Sequence, residues 1–285
     1  MMRKLKTCFV MAVSLGLAAP AIAQQAGVSQ AEVKLWRLDC GSVAANDLNA
    51  FSDTQAYTGK SKRLASSCYL IRHGSDYLLW DTGLPAAIKG KPLDPKAAMD
   101  ATVTATIKEQ LAQLKVDPAA IKYVGVSHYH FDHIGQLADF PGATLLLGKA
   151  DWQVVTTDPA SYGANPQPFE PWTKGGGKVE QVATDKDVFG DGSVTMLRLP
   201  GHTPGHNGLL VRLKGRGPIL LTGDLAHFAE NYATNGVPTF NVDRAETLAS
   251  LDRFKKLADN LKATVIIQHE PADIAKLPAF PQAAE

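Results

Sequence analysis

Four short apolar runs in this chain each end in a side chain that can bind a metal ion, and that repetition restricts the fold more than any other feature of the sequence. Tyr123 to Val126 leads into Ser127-His128-Tyr129-His130-Phe131-Asp132-His133, and Val194 to Leu199 into Pro200-Gly201-His202. Ile219 to Leu221 leads into Thr222-Gly223-Asp224, and Val265 to Ile267 into Gln268-His269. Short runs rich in Val, Ile and Leu read as buried strands. In open α/β sheets, ligands collect beyond the carboxyl ends of strands. The pattern therefore predicts one shared site assembled from distant parts of the chain.

The first of these ends is the most specific. His128 and His130 alternate, so on an extended segment both imidazoles point the same way. Asp132 and His133 follow at once and can serve a second cation beside the first. Imidazole and carboxylate are typical zinc ligands, and iron, manganese or cobalt also accept such N/O donors. An anionic Asp224 can bridge two cations and reduce their repulsion. Three of the eight histidines and an aspartate fall within six residues, which separates this cluster from scattered loop histidines.

The rest of the chain alternates strand and helix patterns. Val33 to Asp39, Cys68 to Ile71, Tyr77 to Trp80, Thr144 to Leu147, Val179 to Val182 and Leu209 to Leu213 are further strand candidates, with His73-Gly74-Ser75 a hairpin turn. Ile107, Leu111 and Leu114 recur at helical spacing between Ala101 and Leu114. Asp243 can cap a helix whose stripe is Leu248, Leu251, Phe254, Leu257 and Leu261. Residues 158–177, rich in Pro and Gly, read as a long loop, and long loops in compact domains are often functional. Trp152, Tyr162, Phe169 and Trp172 either line an apolar pocket or anchor that region to the core. Tyr129 and Phe131 alternate with the ligands and are expected to point away from them into the core. No polar linker divides the chain, so residues 24–285 are expected to form a single domain.

Residues 1–23 are expected to be a cleaved signal peptide. Arg3, Lys4 and Lys6 precede a short apolar stretch, and Ala21-Ile22-Ala23 fits a cleavage site before Gln24. The apolar stretch is shorter than the ~20 residues of a membrane-spanning helix. A periplasmic or secreted protein follows. The full chain has 29 Lys plus Arg and 28 Asp plus Glu, so without the three early cations it carries a net charge of −2. No basic face points to nucleic acid, and no charge draws the chain to an anionic membrane. Cys40 and Cys68 remain in a compartment where disulfides persist. Two buried free thiols are the expectation here, with a bridge as the alternative.

The run His128-x-His130-x-Asp132-His133, then Gly201-His202-Thr203-Pro204-Gly205-His206, Thr222-Gly223-Asp224 and His269, resembles the metallo-β-lactamase superfamily, and Trp80-Asp81-Thr82-Gly83 is similar to its first motif. The resemblance implies an αββα sandwich of two mixed sheets flanked by helices. It implies His128, His130 and His202 on one metal, Asp132, His133 and His269 on a second, and Asp224 between them. Asp81 and His206 are expected to support ligands rather than bind metal. His73, in the hairpin turn, is given no chemistry.

Departures narrow the branch. Asp224 stands where β-lactamases of the superfamily have Cys or Ser. Sixteen residues follow His269, too few for the glutathione-binding region of glyoxalase II. The Leu199-to-His206 pattern and the length look most like N-acyl homoserine lactonases. Those enzymes place a Tyr three residues after the bridging Asp. This chain has His227 there, as organophosphate-hydrolysing relatives do.

The implied reaction is opening of a lactone, most simply a homoserine lactone in quorum quenching, by a hydroxide that bridges two divalent ions. His227 would steady the oxyanion, and Asp132 would manage the proton of the leaving alkoxide. Alternatives are a broader ester or organophosphate hydrolase, a β-lactamase, a mononuclear-iron persulfide dioxygenase or a metal-storage protein. The partner is a small lactone or ester, and a homodimer is allowed.

Overall fold

The computed structural model describes Met2 and residues 31–285. Apart from Met2, the expected signal segment lies outside the described residues. Val33–Ala45 (β1), Lys62–His73 (β2), Asp76–Trp80 (β3), Met99–Thr102 (β4), Ile121–Gly125 (β5), Thr144–Gly148 (β6) and Val179–Val182 (β7) form one sheet. Its order is β4-β1-β2-β3-β5-β6-β7. Lys186–Asp187 (β8), Val194–Arg198 (β9), Asn207–Leu213 (β10), Gly217–Leu221 (β11) and Thr264–Ile266 (β12) form the second, in the order β12-β11-β10-β9-β8. Both sheets mix parallel and antiparallel pairs. The helices are Ile107–Gln113 (α1), Phe131–Ile134 (α2), Lys149–Thr157 (α3), Glu170–Thr173 (α4), Ala229–Thr234 (α5), Arg244–Leu261 (α6) and Pro271–Ile274 (α7).

Period-two alternation distributes the apolar side chains into layers. In β3, Leu78 and Trp80 join the core between the sheets, against Met196, Leu209, Val211 and Leu221. Leu79 points the other way and packs with Ile107, Leu111 and Val154 beneath the helices of the larger sheet. On the far side, Leu199, Leu210 and Leu220 meet Leu251, Phe254 and Ala258 of α6. The result is the expected αββα sandwich. Asp243 caps α6 by accepting from the backbone of Glu246 at 2.8 Å, a contact typically worth ~1 kcal/mol.

Several readings from sequence are corrected. Ala101 lies in β4, and the helix starts only at Ile107, where Thr106 and Glu109 complete a capping box. Phe169 and Trp172 of the expected long loop are buried in short helical turns, and Trp152 packs beside them. Cys40 and Cys68 are bridged rather than free, with Cα atoms 5.8 Å apart. The register explains this. Leu38 pairs with Cys68, and an irregularity between Asp39 and Ser42 brings Cys40 alongside it. Gly83 closes over the bridge at φ +62°, and a Cβ there would lie 2.4 Å from that of Cys40.

Candidate metal centre

β9 and β11 both run antiparallel to β10, and β12 runs parallel to β11. Their carboxyl ends therefore share one edge, where His202, Asp224 and His269 emerge. β5 of the other sheet delivers His128 and His130 to the same edge, and α2 turns back at once with Asp132 and His133. The structure brings all seven side chains into two adjacent groups. His128, His130, His202 and Asp224 form one, and Asp132, His133 and His269 the other.

Asp224 stands between them. Its Oδ2 is 3.6 Å from His128 Nε2 and 3.4 Å from His202 Nε2. Its Oδ1 is 3.2 Å from His133 Nε2 and 2.9 Å from His269 Nε2. One carboxylate thus presents one oxygen to each group. Asp132 Oδ2 lies 3.8 Å from His133 Nε2 and 3.7 Å from His269 Nε2.

Surrounding hydrogen bonds fix which ring nitrogens face inward. His133 Nδ1 donates to Asp81 Oδ2 at 2.9 Å, and its Nε2 is buried without a hydrogen-bond partner. His269 Nδ1 donates to the carbonyl of Ala65 at 2.7 Å. Ser127 Oγ spends its proton on Asp81 Oδ2 at 2.9 Å, so His128 Nδ1 donates to that hydroxyl at 3.1 Å. His128 Nε2 is left bare. It lies 2.9 Å from His130 Nδ1 and 3.1 Å from His202 Nε2, and the latter two are 2.9 Å apart. Three converging nitrogens cannot all be satisfied by one another's single protons, whereas one cation satisfies all three. The donor set fits a divalent transition metal.

Electrostatics agree with that fit. Burial alone would raise the Asp224 carboxyl, but the imidazoles of His133, His269, His227 and His128 outweigh it and hold it well below the usual carboxylate range. Burial lowers His128 well below the ordinary histidine value, with His133 adding to the effect. His133 goes the other way. Burial opposes a proton there, yet Asp224, Asp132 and Asp81 raise it well above the ordinary value. The carboxylates that favour a proton on this ring favour a cation at the same nitrogen.

Asp81 and His206 support the site from behind, as expected. His206 donates from Nδ1 to the carbonyl of Leu199 at 2.9 Å and accepts the backbone N–H of Asp224 on Nε2 at 2.9 Å. Ser127, Gln268 and Asp151 were not singled out by the sequence. Gln268 Nε2 is 3.3 Å from Asp81 Oδ2, and Asp151 accepts from Thr203 Oγ1 at 2.7 Å and from the backbone of Gly205 at 2.6 Å. Their signal was adjacency: Ser127 and Gln268 each precede a donor histidine. Asp151 carried none. His73 bonds Asp191 at 2.8 Å, in a contact separate from this cluster.

A cavity of about 350 Å³ opens over the two groups, with His130, Asp132, Asp224, His227 and His269 at its polar floor. Its walls include Phe51, Leu64, Met99, Phe131, Tyr162 and Phe240. Phe131 is a correction, since it is 51% exposed on the cavity wall, whereas Tyr129 is buried as expected. Of Trp152, Tyr162, Phe169 and Trp172, Tyr162 alone lines this cavity. His227 reaches the floor with Nε2 3.1 Å from Asp224 Oδ2, and its Nδ1 is buried with no partner. Burial pushes its pKa down to about 4 against the pull of Asp224, so the ring is neutral near pH 7.

Comparison with known proteins agrees with this geometry. The model of the metallo-beta-lactamase superfamily matches residues 62–269. The chain is 34% identical over 179 residues to the N-acyl homoserine lactonase AttM of Rhizobium radiobacter, covering 60% of this chain and 68% of the relative. It is 27% identical over 261 residues to AttM of Azorhizobium caulinodans, covering 84% and 94%. An N-acyl homoserine lactone hydrolase, solved with the product N-hexanoyl-L-homoserine at its catalytic metal center, superposes with a TM-score of 0.74 at 21% identity. That match covers 90% of this chain and all of the other, and it speaks to the fold alone.

Proposed function

We propose, for a chain that belongs to the metallo-beta-lactamase superfamily and is a metal-dependent hydrolase, that it opens lactones, with N-acyl homoserine lactones as the preferred class. The observation that carries the reading is the pairing of a two-part His/Asp cluster with an apolar wall directly above it. Met99, Phe131, Tyr162 and Phe240 are large apolar residues left exposed, and all four line the cavity. A solvated surface has no use for such a cluster, whereas an acyl chain does. The sequence relatives named as N-acyl homoserine lactonases support the same class.

His128, His130 and His202 would hold one divalent ion, Asp132, His133 and His269 a second, and Asp224 both. Zinc suits these donors. Such ions, when bound, lower the pKa of a coordinated water and polarise a carbonyl. The chain's own groups do the rest. His227, neutral and with Nε2 at the cavity floor, donates one hydrogen bond to the carbonyl oxygen as charge builds on it. Asp132, also at the cavity floor, takes and returns the proton that the departing alkoxide needs. The phenyl walls exclude water from the acyl side and hold the ring over the donors.

We further propose export, with residues 1–23 removed. The Cys40–Cys68 bridge supports it, because such bonds persist outside the reducing cytosol. Asp224 in place of Cys or Ser argues against β-lactam hydrolysis as the main task.

The test is a hydrolysis screen of purified protein with elemental analysis alongside, covering homoserine lactones, simple lactones, aryl esters, organophosphate triesters and β-lactams. The expected outcome is close to two transition-metal ions per chain and the highest kcat/KM on homoserine lactones. That value should rise with acyl length until the cavity is filled, since each buried methylene contributes about 0.8 kcal/mol, or ~4-fold. A higher kcat/KM on triesters or aryl esters than on any lactone would refute the substrate class.

A further inference from the structure

Among the inward-facing rings, His202 is held by a contact outside the motifs that built the site. Its Nδ1 is 2.8 Å from Asn241 Oδ1. Asn241 belongs to the segment between α5 and α6 and carries no motif. We propose that Asn241 is the positioning residue for His202, fixing the ring so that Nε2 is unprotonated and aimed at the cation. The inference rests on the proposed metal site and adds a residue to it.

A chain of hydrogen bonds runs from the helix to the ring. Thr247, buried in the first turn of α6, donates its hydroxyl proton to the carbonyl of Asp243 at 2.6 Å. Its oxygen can then only accept, and the atom that faces it is Asn241 Nδ2 at 3.0 Å. That contact decides the amide's orientation, since the NH2 must lie on Thr247 and the carbonyl oxygen on His202. A carbonyl oxygen only accepts, so His202 Nδ1 must carry the proton. A neutral imidazole protonated at Nδ1 has its lone pair on Nε2, the atom that faces His128, His130 and Asp224. The proton accounting is closed by one hydroxyl three steps from the metal position.

The backbone keeps this relay in register. Asp243 N donates to the carbonyl of Gly201 at 2.9 Å, and Val242 N to that of His202 at 3.3 Å. Gly201 adopts φ +131°, and a Cβ there would lie 2.2 Å from Thr247 N. Only glycine lets the His202 turn come this close to the start of α6. Removing an outer hydrogen bond of this kind costs ~10- to 100-fold in metal affinity where it has been tested.

The experiment measures zinc affinity of the full protein by competition with a chromophoric chelator, and the visible spectrum of the cobalt-substituted protein. Asn241→Leu, close in shape but unable to accept, should weaken zinc ~10- to 100-fold and alter the cobalt bands. Asn241→Asp keeps the acceptor and should bind zinc at least as tightly as the parent. Thr247→Val frees the amide to turn over and should lie between these two. His202→Ala serves as the reference and should lose close to one ion per chain. Parental affinity and spectrum in Asn241→Leu, with an ion lost from His202→Ala, would overturn the role of Asn241 and leave the metal site standing. A full metal complement in His202→Ala would instead overturn the metal site. Equal losses in Asn241→Asp and Asn241→Leu would reduce the contact to packing. If Asn241→Leu does not fold, Thr247→Val decides, and parental affinity there overturns the relay.

Discussion

His227 can donate through one nitrogen at a time. Burial keeps it neutral near pH 7, its Nδ1 has no partner, and its Nε2 sits 3.1 Å from Asp224 Oδ2 at the cavity floor. The proton therefore belongs on Nε2, and the hydrogen bond it makes to Asp224 can shift to a substrate oxygen. Replacing His227 by Ala should lower kcat on the best substrate by a factor on the order of 10 to 1,000, the scale of losing one oxyanion donor. Metal content should not change. His227→Tyr, which restores a donor, should recover part of the rate. Steady-state kinetics with elemental analysis check this, and loss of an ion in His227→Ala would make the ring a ligand instead. At this scale the sequence was legible where chemistry repeats at close spacing. Asp132 and His133 fell beside His128 and His130, and Asp224 between the two groups. Phe131 was misread because the alternation that sends Tyr129 inward stops at His130. α2 begins at Phe131, and helical backbone turns that ring onto the cavity wall.

α3 was not legible at all, and the site leans on it. Its nine residues hold two adjacent β-branched valines and no capping side chain, so neither periodicity nor a start signal announces a helix. Yet it carries Asp151, which is fully buried and holds Thr203 and Gly205 beside His202. The Asp151 neighbours were invisible because their pairing spans more than 50 residues, and one of the two donors is the backbone N–H of Gly205. Burial pushes Asp151 up to about 7 from its ordinary 3.8, although the bonds from Thr203 and Gly205 oppose the rise. The sign follows from proton linkage. Between pH ~4 and ~7 the folded state holds a proton there that the unfolded state has released, so this group's contribution to stability falls as pH rises through that window. Asp151→Asn removes the dependence while keeping a group that can bond Thr203. The Tm of Asp151→Asn minus that of the parent should therefore increase steadily from pH 4 to 7 and level off above it. A difference that is flat with pH would mean that Asp151 is ionised throughout. The longer elements were the legible ones. α6 showed its cap and stripe in advance, whereas β4 was absorbed into a helical reading because a four-residue strand leaves little pattern.

For the whole molecule, compartment and covalent structure make one linked prediction. Two cysteines remain after residue 23, and they are paired with each other. The bridge ties β1 to β2 across a sequence separation of 28, next to Gly83 and the Asp81 that holds His133. By loop-closure entropy such a bridge contributes about 3–4 kcal/mol, which in a chain of this size corresponds to roughly 10 °C in Tm. If the signal segment directs export, protein recovered from its native host should begin at or near Gln24 by intact mass and contain no free thiol under denaturing, non-reducing conditions. The same chain lacking residues 1–23 and produced in a reducing cytosol should show two thiols and melt roughly 10 °C lower. Oxidation in vitro should return its Tm toward that of the exported form, because β1 and β2 already hold the two Cα atoms at bridging distance. Cys40→Ala with Cys68→Ala should melt with the reduced protein in either compartment. An intact Met1 terminus in the cytosolic fraction of the host would refute export, and it would leave the bridge to be explained by chemistry within the cytosol. Equal Tm values for the reduced and oxidised forms would show that the hydrogen-bonded register of β1 and β2 alone holds this corner of the site.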